Sequence, residues 1–205
     1  HSRRPETEPR DAIRPTTLST SASGVRYAVA VIPSYGTVPR CGTADRADYL
    51  GGMARVGDVL AAKRTVSFEF FPPKTSSAQM SMGKAVGELE SLGPDFVSIT
   101  YGAGGSDRHR TRDVVSWMQS ETNLVPMAHL TCQGHTRTDV SALLIEYRRD
   151  GVENILALGG DAPADGSPAK SDYTYALDLL DEVSDTGCFS VGVAAHPEVH
   201  PRSVS

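Results

Sequence analysis

The chain has 205 residues, of which 39% are hydrophobic and 22% are charged, so it can bury the core of one sizeable domain. A net charge of −5 at pH 7 provides no general attraction to nucleic acid or anionic lipid, and no apolar run approaches the length of a membrane span. The three cysteines, Cys41, Cys132 and Cys188, are odd in number and widely spaced. They argue against a disulfide framework and favour a reducing cytoplasm.

Residues 1–52 differ in composition from the rest of the chain. They contain seven Arg, no Lys and five acidic residues, whereas residues 53–205 contain 13 basic and 20 acidic residues. The first segment is rich in Ser, Thr, Pro and Gly and shows neither helical nor strand periodicity, which predicts disorder. Two interpretations stay open: Met53 is the natural start and the preceding residues are non-native, or those residues are a genuine flexible extension.

From Met53 onward, short β-rich runs alternate with amphipathic stretches at a repeat near 30 residues. The β-rich runs predict strands at 66–73, 96–103, 125–132, 154–161 and 189–197, and the first amphipathic stretch predicts a short helix at 54–62. This alternation predicts right-handed βαβ units and a (β/α) barrel, with a doubly wound open sheet as the alternative. The residues expected to open the later helices are Ser76, in a capping box with Gln79, then Ser106, Thr136 or Thr138, and Ser171.

The number of β/α units is smaller than a closed barrel requires. Five units are predicted here, whereas a (β/α)8 barrel has eight strands. The sequence therefore predicts a barrel truncated after about five units, with open edges on its first and fifth strands. We expect such a fragment to be inactive on its own.

Strand alternation predicts which side chains face the barrel interior. In the fourth strand it assigns Ala157, Gly159 and Asp161 to the interior, and Leu156 and Leu158 to the helix layer. Burying a carboxylate or an imidazole in a protein interior destabilises the fold unless the group is paired or bound to a ligand. Each also has a structural interpretation: a buried ion pair, an ordinary turn residue or a satisfied core histidine. The polar side chains predicted to face inward are Glu69, Thr100, His129, Thr131, Asp161 and His196.

Two weaker patterns also occur. His129, Asp161, His196 and His200 could supply a mononuclear metal site, although Pro197 and Pro201 disfavour the helix that would bring His196 and His200 together. The Gly-rich stretch 101–106 could present N–H groups to a phosphate, or it could be an ordinary βα turn.

Five segments occur in an order and at a spacing that resemble one family, the methylenetetrahydrofolate reductases. The resemblance implies a (β/α)8 flavoprotein in which NADH or NADPH reduces FAD, and the flavin reduces 5,10-methylenetetrahydrofolate to 5-methyltetrahydrofolate. It implies no metal and a homo-oligomer when the chain is complete. The segments are SFEFFPPK at 67–74, SITYGA at 98–103, AHLTC at 128–132, LGGD at 158–161 and VAAHPEVHP at 193–201.

The same resemblance implies roles for individual residues. Glu69 resembles the general acid that opens the imidazolidine ring of the folate to an iminium ion, and Asp161 resembles the acid beside the flavin that also meets the pterin. Two positions depart from the family pattern: Gly159 stands where Arg is frequent, and His196 stands where Tyr is common. The remaining alternatives are a catalytically inactive fragment and a metal-dependent lyase or aldolase. The residues that resemble the FAD-lining positions are Thr100, Tyr101, Ala103, His129, Gly160, Asp161, Tyr175, Ala176, His196 and His200.

Overall fold

A computed structural model of the chain describes residues 17–20, 26–31, 55–102, 108–161 and 171–195. The strands are β1 (Thr17–Thr20), β2 (Arg26–Val31), β3 (Ser67–Phe70), β4 (Phe96–Ile99), β5 (Pro126–Thr131), β6 (Asn154–Leu158) and β7 (Ser190–Ala195). The helices are α1 (Val56–Ala62), α2 (Ser76–Glu90), α3 (Arg108–Glu121), α4 (Arg137–Arg149) and α5 (Ala176–Asp185). None of the described helices is long and apolar enough to cross a membrane.

All seven described strands belong to one sheet, in the order β1-β2-β7-β6-β5-β4-β3. Strands β3 to β7 are parallel, and each pairs with the next in sequence. Helices α2 to α5 share one core on one face of these strands. Sequential order with the helices on one face is the arrangement of barrel units, whereas a doubly wound sheet has helices on both faces. The predicted α/β class is confirmed, and closure into a barrel stays a prediction.

The core between the sheet and the helices is mainly apolar. Val97, Ile99 and Leu130 from the strands are fully buried, as are Val115 and Met118 from α3. Each such side chain stabilises the fold by roughly 1.5–3 kcal/mol relative to full exposure. The helix layer therefore fixes the strands firmly and leaves their opposite face for a site.

The helix starts agree only partly with the sequence prediction. α4 begins after Thr136, whose side chain accepts a hydrogen bond from the backbone N–H of Asp139 in a capping box, so Thr136 is the cap rather than Thr138. α2 is capped by Thr75, not by Ser76, because Thr75 has the extended backbone of an N-cap and Ser76 is already helical. Ser171 does not open α5, because its hydroxyl donates to the carbonyl of Cys132 and the helix begins at Ala176.

The structure also differs from the sequence analysis at the N-terminus, where no strand was expected. β1 and β2 form an antiparallel pair, and β2 pairs antiparallel with β7 from Ala28↔Ala195 to Val31↔Gly192. The prediction that the fifth strand of the parallel series keeps an open edge is therefore wrong. Arg26–Val31 has few turn residues and contains Tyr and Val, which favour strands, so the averaged composition of 1–52 concealed a local strand.

Candidate functional site

The inner face of the parallel sheet, opposite α2 to α5, is closed at one end by α1. Val56 and Leu60 of α1 pack against Met127 and Leu156. The backbone N–H of Val56 donates to Oδ1 of Asn154 at 2.7 Å, at the first residue of β6. α1 therefore covers the amino ends of the strands, and the site must lie toward their carboxyl ends, as in barrel enzymes.

Three neighbouring strands bring Glu69, Ser98 and His129 together on this inner face. Glu69 and Ser98 are register partners on β3 and β4, and the Ser98 hydroxyl donates to Oε2 of Glu69 at 3.4 Å. Nε2 of His129, on β5, lies 3.6 Å from the same oxygen. The Glu69 side chain is 23% exposed, so the carboxyl group remains accessible to a ligand. The sequence prediction that Glu69 and His129 face inward is thus consistent with this cluster.

The electrostatics of the cluster favour neutral groups. Burial raises the pKa of Glu69, and the hydrogen bond from Ser98 only partly opposes this. Burial lowers the pKa of His129 to about 4, so the imidazole is neutral at pH 7. The two side chains are therefore not an ion pair at neutral pH, and among the described residues no lysine or arginine pairs with Glu69. Burial in this setting favours the protonated form of the carboxyl group, which suits it to donate a proton.

Among the described residues, two buried polar atoms on the inner face lack a hydrogen bond, and one of them is the His129 nitrogen that lies 3.6 Å from Glu69. Nε2 of His129 and Oγ1 of Thr131 are buried and have no hydrogen bond within the described part of the chain. Register places His129 beside Leu156 and Thr131 beside Leu158, toward the carboxyl end of β5. Because buried polar atoms are nearly always satisfied, these two are candidates to be completed by a ligand.

The turn after β6 approaches Thr131 closely. Gly160 has a left-handed φ of 72°, and a Cβ there would lie 3.0 Å from Cβ of Thr131 and 2.9 Å from Cγ of Gln133. At Gly159, by contrast, a Cβ would meet nothing within 4 Å. Only glycine fits Gly160 without strain, and its main chain is therefore held against the polar end of β5.

Strand β6 has the opposite phase from the one predicted. Ile155 and Ala157 lie in the helix-side core, whereas Leu156 packs with α1 on the inner face. The prediction was wrong because β6 is apolar on both faces, so alternation alone could not distinguish them. Since β6 ends at Leu158 and Gly160 turns the chain, strand alternation does not place Asp161, which the structure leaves exposed.

Of the other predicted site residues, Thr100, Tyr175 and Ala176 lie at the same end of the β/α units. Thr100 follows β4, where its N–H donates to the carbonyl of Phe70 and its own carbonyl accepts from Thr111. Tyr175 is exposed immediately before α5, and Ala176 is the first residue of that helix. The structure does not bring Asp161 or Tyr175 into recorded contact with Glu69 among the described residues. Ala103, His196 and His200 lie outside the described residues.

Tyr101 and two residues that sequence reasoning did not single out form a second polar cluster on the helix side. The rings of Tyr101 and His135 are 5.4 Å apart, and Tyr147 is fully buried nearby. Both tyrosine hydroxyls and both His135 nitrogens lack partners within the described part of the chain. Because the Tyr101 side chain lies in the core, its predicted contact with a cofactor can come only from its main chain. Nothing in the local sequence distinguishes His135 or Tyr147 from ordinary core residues.

Fold and site together define an α/β protein built of sequential β/α units, with an acid and a neutral imidazole on the inner face of its sheet. The family described as Methylenetetrahydrofolate reductase matches residues 55–205, and the chain belongs to this family.

Curated relatives agree with this assignment. The chain is 40% identical over 146 residues to a 5,10-methylenetetrahydrofolate reductase of Pectobacterium carotovorum, which covers 71% of this chain and 48% of that protein. It is 39% identical over 141 residues to the Escherichia coli protein of the same name, covering 68% and 46%. A methylenetetrahydrofolate reductase (NADH) of Arabidopsis thaliana is 36% identical over 140 residues, covering 66% and 24%. The chain spans about half the length of the bacterial relatives that it matches.

Proposed function

We propose that the protein is an FAD-dependent oxidoreductase that reduces 5,10-methylenetetrahydrofolate to 5-methyltetrahydrofolate with NADH or NADPH, in one-carbon metabolism. The observation that carries the proposal is the carboxyl group of Glu69. It lies on the inner face of the first parallel strand, its pKa is raised by burial, and no cation pairs with it among the described residues. Burial favours the protonated form of such a group, which suits it to donate a proton rather than to form a structural ion pair.

The inner face fits the flavin that this activity requires. Nε2 of His129 and Oγ1 of Thr131 are buried and make no hydrogen bond within the described part of the chain, so a ligand could bind them. Gly160 presents its main chain beside Thr131. FAD would supply the hydride transfer between reduced nicotinamide and the folate. The residues proposed to hold it are those of the family pattern: Thr100, the main chain of Tyr101, Ala103, His129, Gly160, Asp161, Tyr175, Ala176, His196 and His200.

Glu69 and Asp161 are proposed to act on the folate. Glu69 would donate its proton to a nitrogen of the imidazolidine ring, so that the ring opens to a cation that can accept hydride. The exposed carboxylate of Asp161 would accept hydrogen bonds from the pterin and stabilise that cation. The two acids thus have different tasks, which their different burial supports.

The test begins with the absorbance of the purified protein. In a version with all eight predicted barrel strands, we expect a flavin spectrum, anaerobic bleaching by NADH or NADPH, and recovery of the oxidised spectrum on addition of methylenetetrahydrofolate with formation of 5-methyltetrahydrofolate. The name of the Arabidopsis relative makes NADH the first reductant to try. A colourless protein that takes up stoichiometric zinc would instead support a metal-dependent lyase, and a colourless protein without metal would support an inactive fragment.

A further inference from the structure

The two oxygens of the Glu69 carboxyl group have different surroundings. The Ser98 hydroxyl and Nε2 of His129 both converge on Oε2, at 3.4 and 3.6 Å. The structure records no polar partner for Oε1 among the described residues. A carboxylic acid carries its proton on one oxygen only, so this asymmetry bears on which oxygen can donate.

We propose that Ser98 is a positioning residue for Glu69: its hydroxyl holds Oε2 against the sheet, so that the proton of the acid resides on Oε1 and faces the substrate. The proposal rests on the proposed role of Glu69 as the proton donor. Ser98 does not touch substrate or cofactor in this scheme, and acts only through Glu69.

The direction of the Ser98 hydrogen bond supports this assignment. Ser98 donates to Oε2, which leaves the proton of the acid on Oε1; a proton on Oε2 would require the hydroxyl to turn and accept instead. Nε2 of His129, 3.6 Å from Oε2, makes no hydrogen bond within the described part of the chain, so Ser98 alone holds this oxygen there. A hydrogen bond of ordinary net strength changes such an equilibrium by roughly two- to tenfold. The proton is therefore directed to Oε1.

The side chains that face Glu69 from the neighbouring strands are uncharged at pH 7. β4 contributes the uncharged Ser98, and β5 contributes His129, which is neutral at pH 7. No charged residue of α1 is recorded in contact with Glu69 among the described residues. Since the Ser98 hydrogen bond lowers the pKa of Glu69 against the larger effect of burial, its removal should raise that pKa further.

The first test needs neither cofactor nor turnover. The Glu69 carboxyl carbon is followed by 13C NMR across a pH titration in the labelled protein, with its signal assigned from its loss in Glu69→Gln. We expect Ser98→Ala to raise the pKa of Glu69 and Ser98→Thr, which keeps the hydroxyl, to leave it unchanged. Ser116→Ala is the matched control, because the Ser116 hydroxyl donates to Asp150 at 2.7 Å on the helix side of the sheet. An unchanged Glu69 titration in Ser98→Ala overturns the proposal.

The second test uses the flavin-loaded protein. Ser98→Ala should slow folate reduction roughly two- to tenfold and move its alkaline limb to higher pH, while flavin reduction by NADH is unchanged. If both half-reactions slow equally and the alkaline limb of the pH profile does not move, the role of Ser98 is merely structural and the proposal is overturned. Full folate reduction in Glu69→Gln would refute the role of Glu69 as the proton donor, and with it the proposed function. Loss of folate reduction in Glu69→Gln beside a normal Ser98→Ala variant would refute only the positioning role.

Discussion

Substitution of Gly160 by alanine perturbs the turn that brings the end of β6 against β5. The residue has a φ of 72°, where an L residue is strained by about 1–2 kcal/mol. The added Cβ would also lie 3.0 Å from Cβ of Thr131, which is fixed to the backbone, whereas Cγ of Gln133 at 2.9 Å belongs to a longer side chain that can rotate away. Overpacking of this kind adds about 1–2 kcal/mol, so the total loss of stability should be about 2–4 kcal/mol.

Thermal denaturation of the flavin-free protein measures this loss. For a chain of this size the melting temperature should fall by roughly 5–15 °C. Flavin affinity should also fall by roughly tenfold or more, because relief of the contact moves the Gly160 main chain away from Thr131. Gly159→Ala is the matched control, since its Cβ would meet nothing within 4 Å, and it should change stability by less than about 1 kcal/mol. Equal effects of the two substitutions would refute the reasoning from backbone strain and close approach.

Three other substitutions test the fold and the site. Because the folded-state pKa of Glu69 is raised, its contribution to stability is present at acid pH and is lost as the pH rises through that pKa. Glu69→Gln should therefore stabilise the flavin-free protein at pH 8 but not at pH 4. Thermal denaturation at the two pH values measures the difference. Asp161→Asn should weaken folate reduction and shift the flavin potential by spectroelectrochemistry, and unchanged values would exclude Asp161 from the site. Asn154→Ala should destabilise the protein by about 2–4 kcal/mol in urea unfolding, because the N–H of Val56 loses its buried acceptor; a loss below about 0.5 kcal/mol would contradict the anchoring of α1.

After Met53, the positions of the elements could be predicted from sequence because their signals are local, whereas β1 and β2 were missed. The apolar residues Val114, Val115 and Met118 recur at helical spacing and are buried in α3, and the alternation around Glu69 correctly separated it from the apolar core. Strand β6 is apolar on both faces, so its sequence does not show which residues face the helices. The prediction for Leu156 and Ala157 was wrong for this reason. The pairing of β2 with β7 joins residues more than 160 positions apart, which no local pattern specifies.

The contacts between side chains within the site could not be predicted from the sequence either. Strand alternation could place Ser98 on the inner face, but only the register of β3 against β4 places its hydroxyl on Oε2 of Glu69. The neutrality of His129 likewise follows from its burial among residues that are distant in sequence. These are properties of tertiary contacts, and they are the properties that give the site its proposed chemistry.

The central claim is that Glu69 supplies the proton for folate reduction, and stopped-flow measurement of the two half-reactions in Glu69→Gln tests it most directly. Reduction of the bound flavin by NADH should match the unsubstituted protein within about twofold, because that step needs no acid. Reoxidation by methylenetetrahydrofolate should slow by roughly 10²- to 10⁴-fold, the usual contribution of a positioned general acid. Reoxidation at the unsubstituted rate, with flavin still bound, would contradict the account.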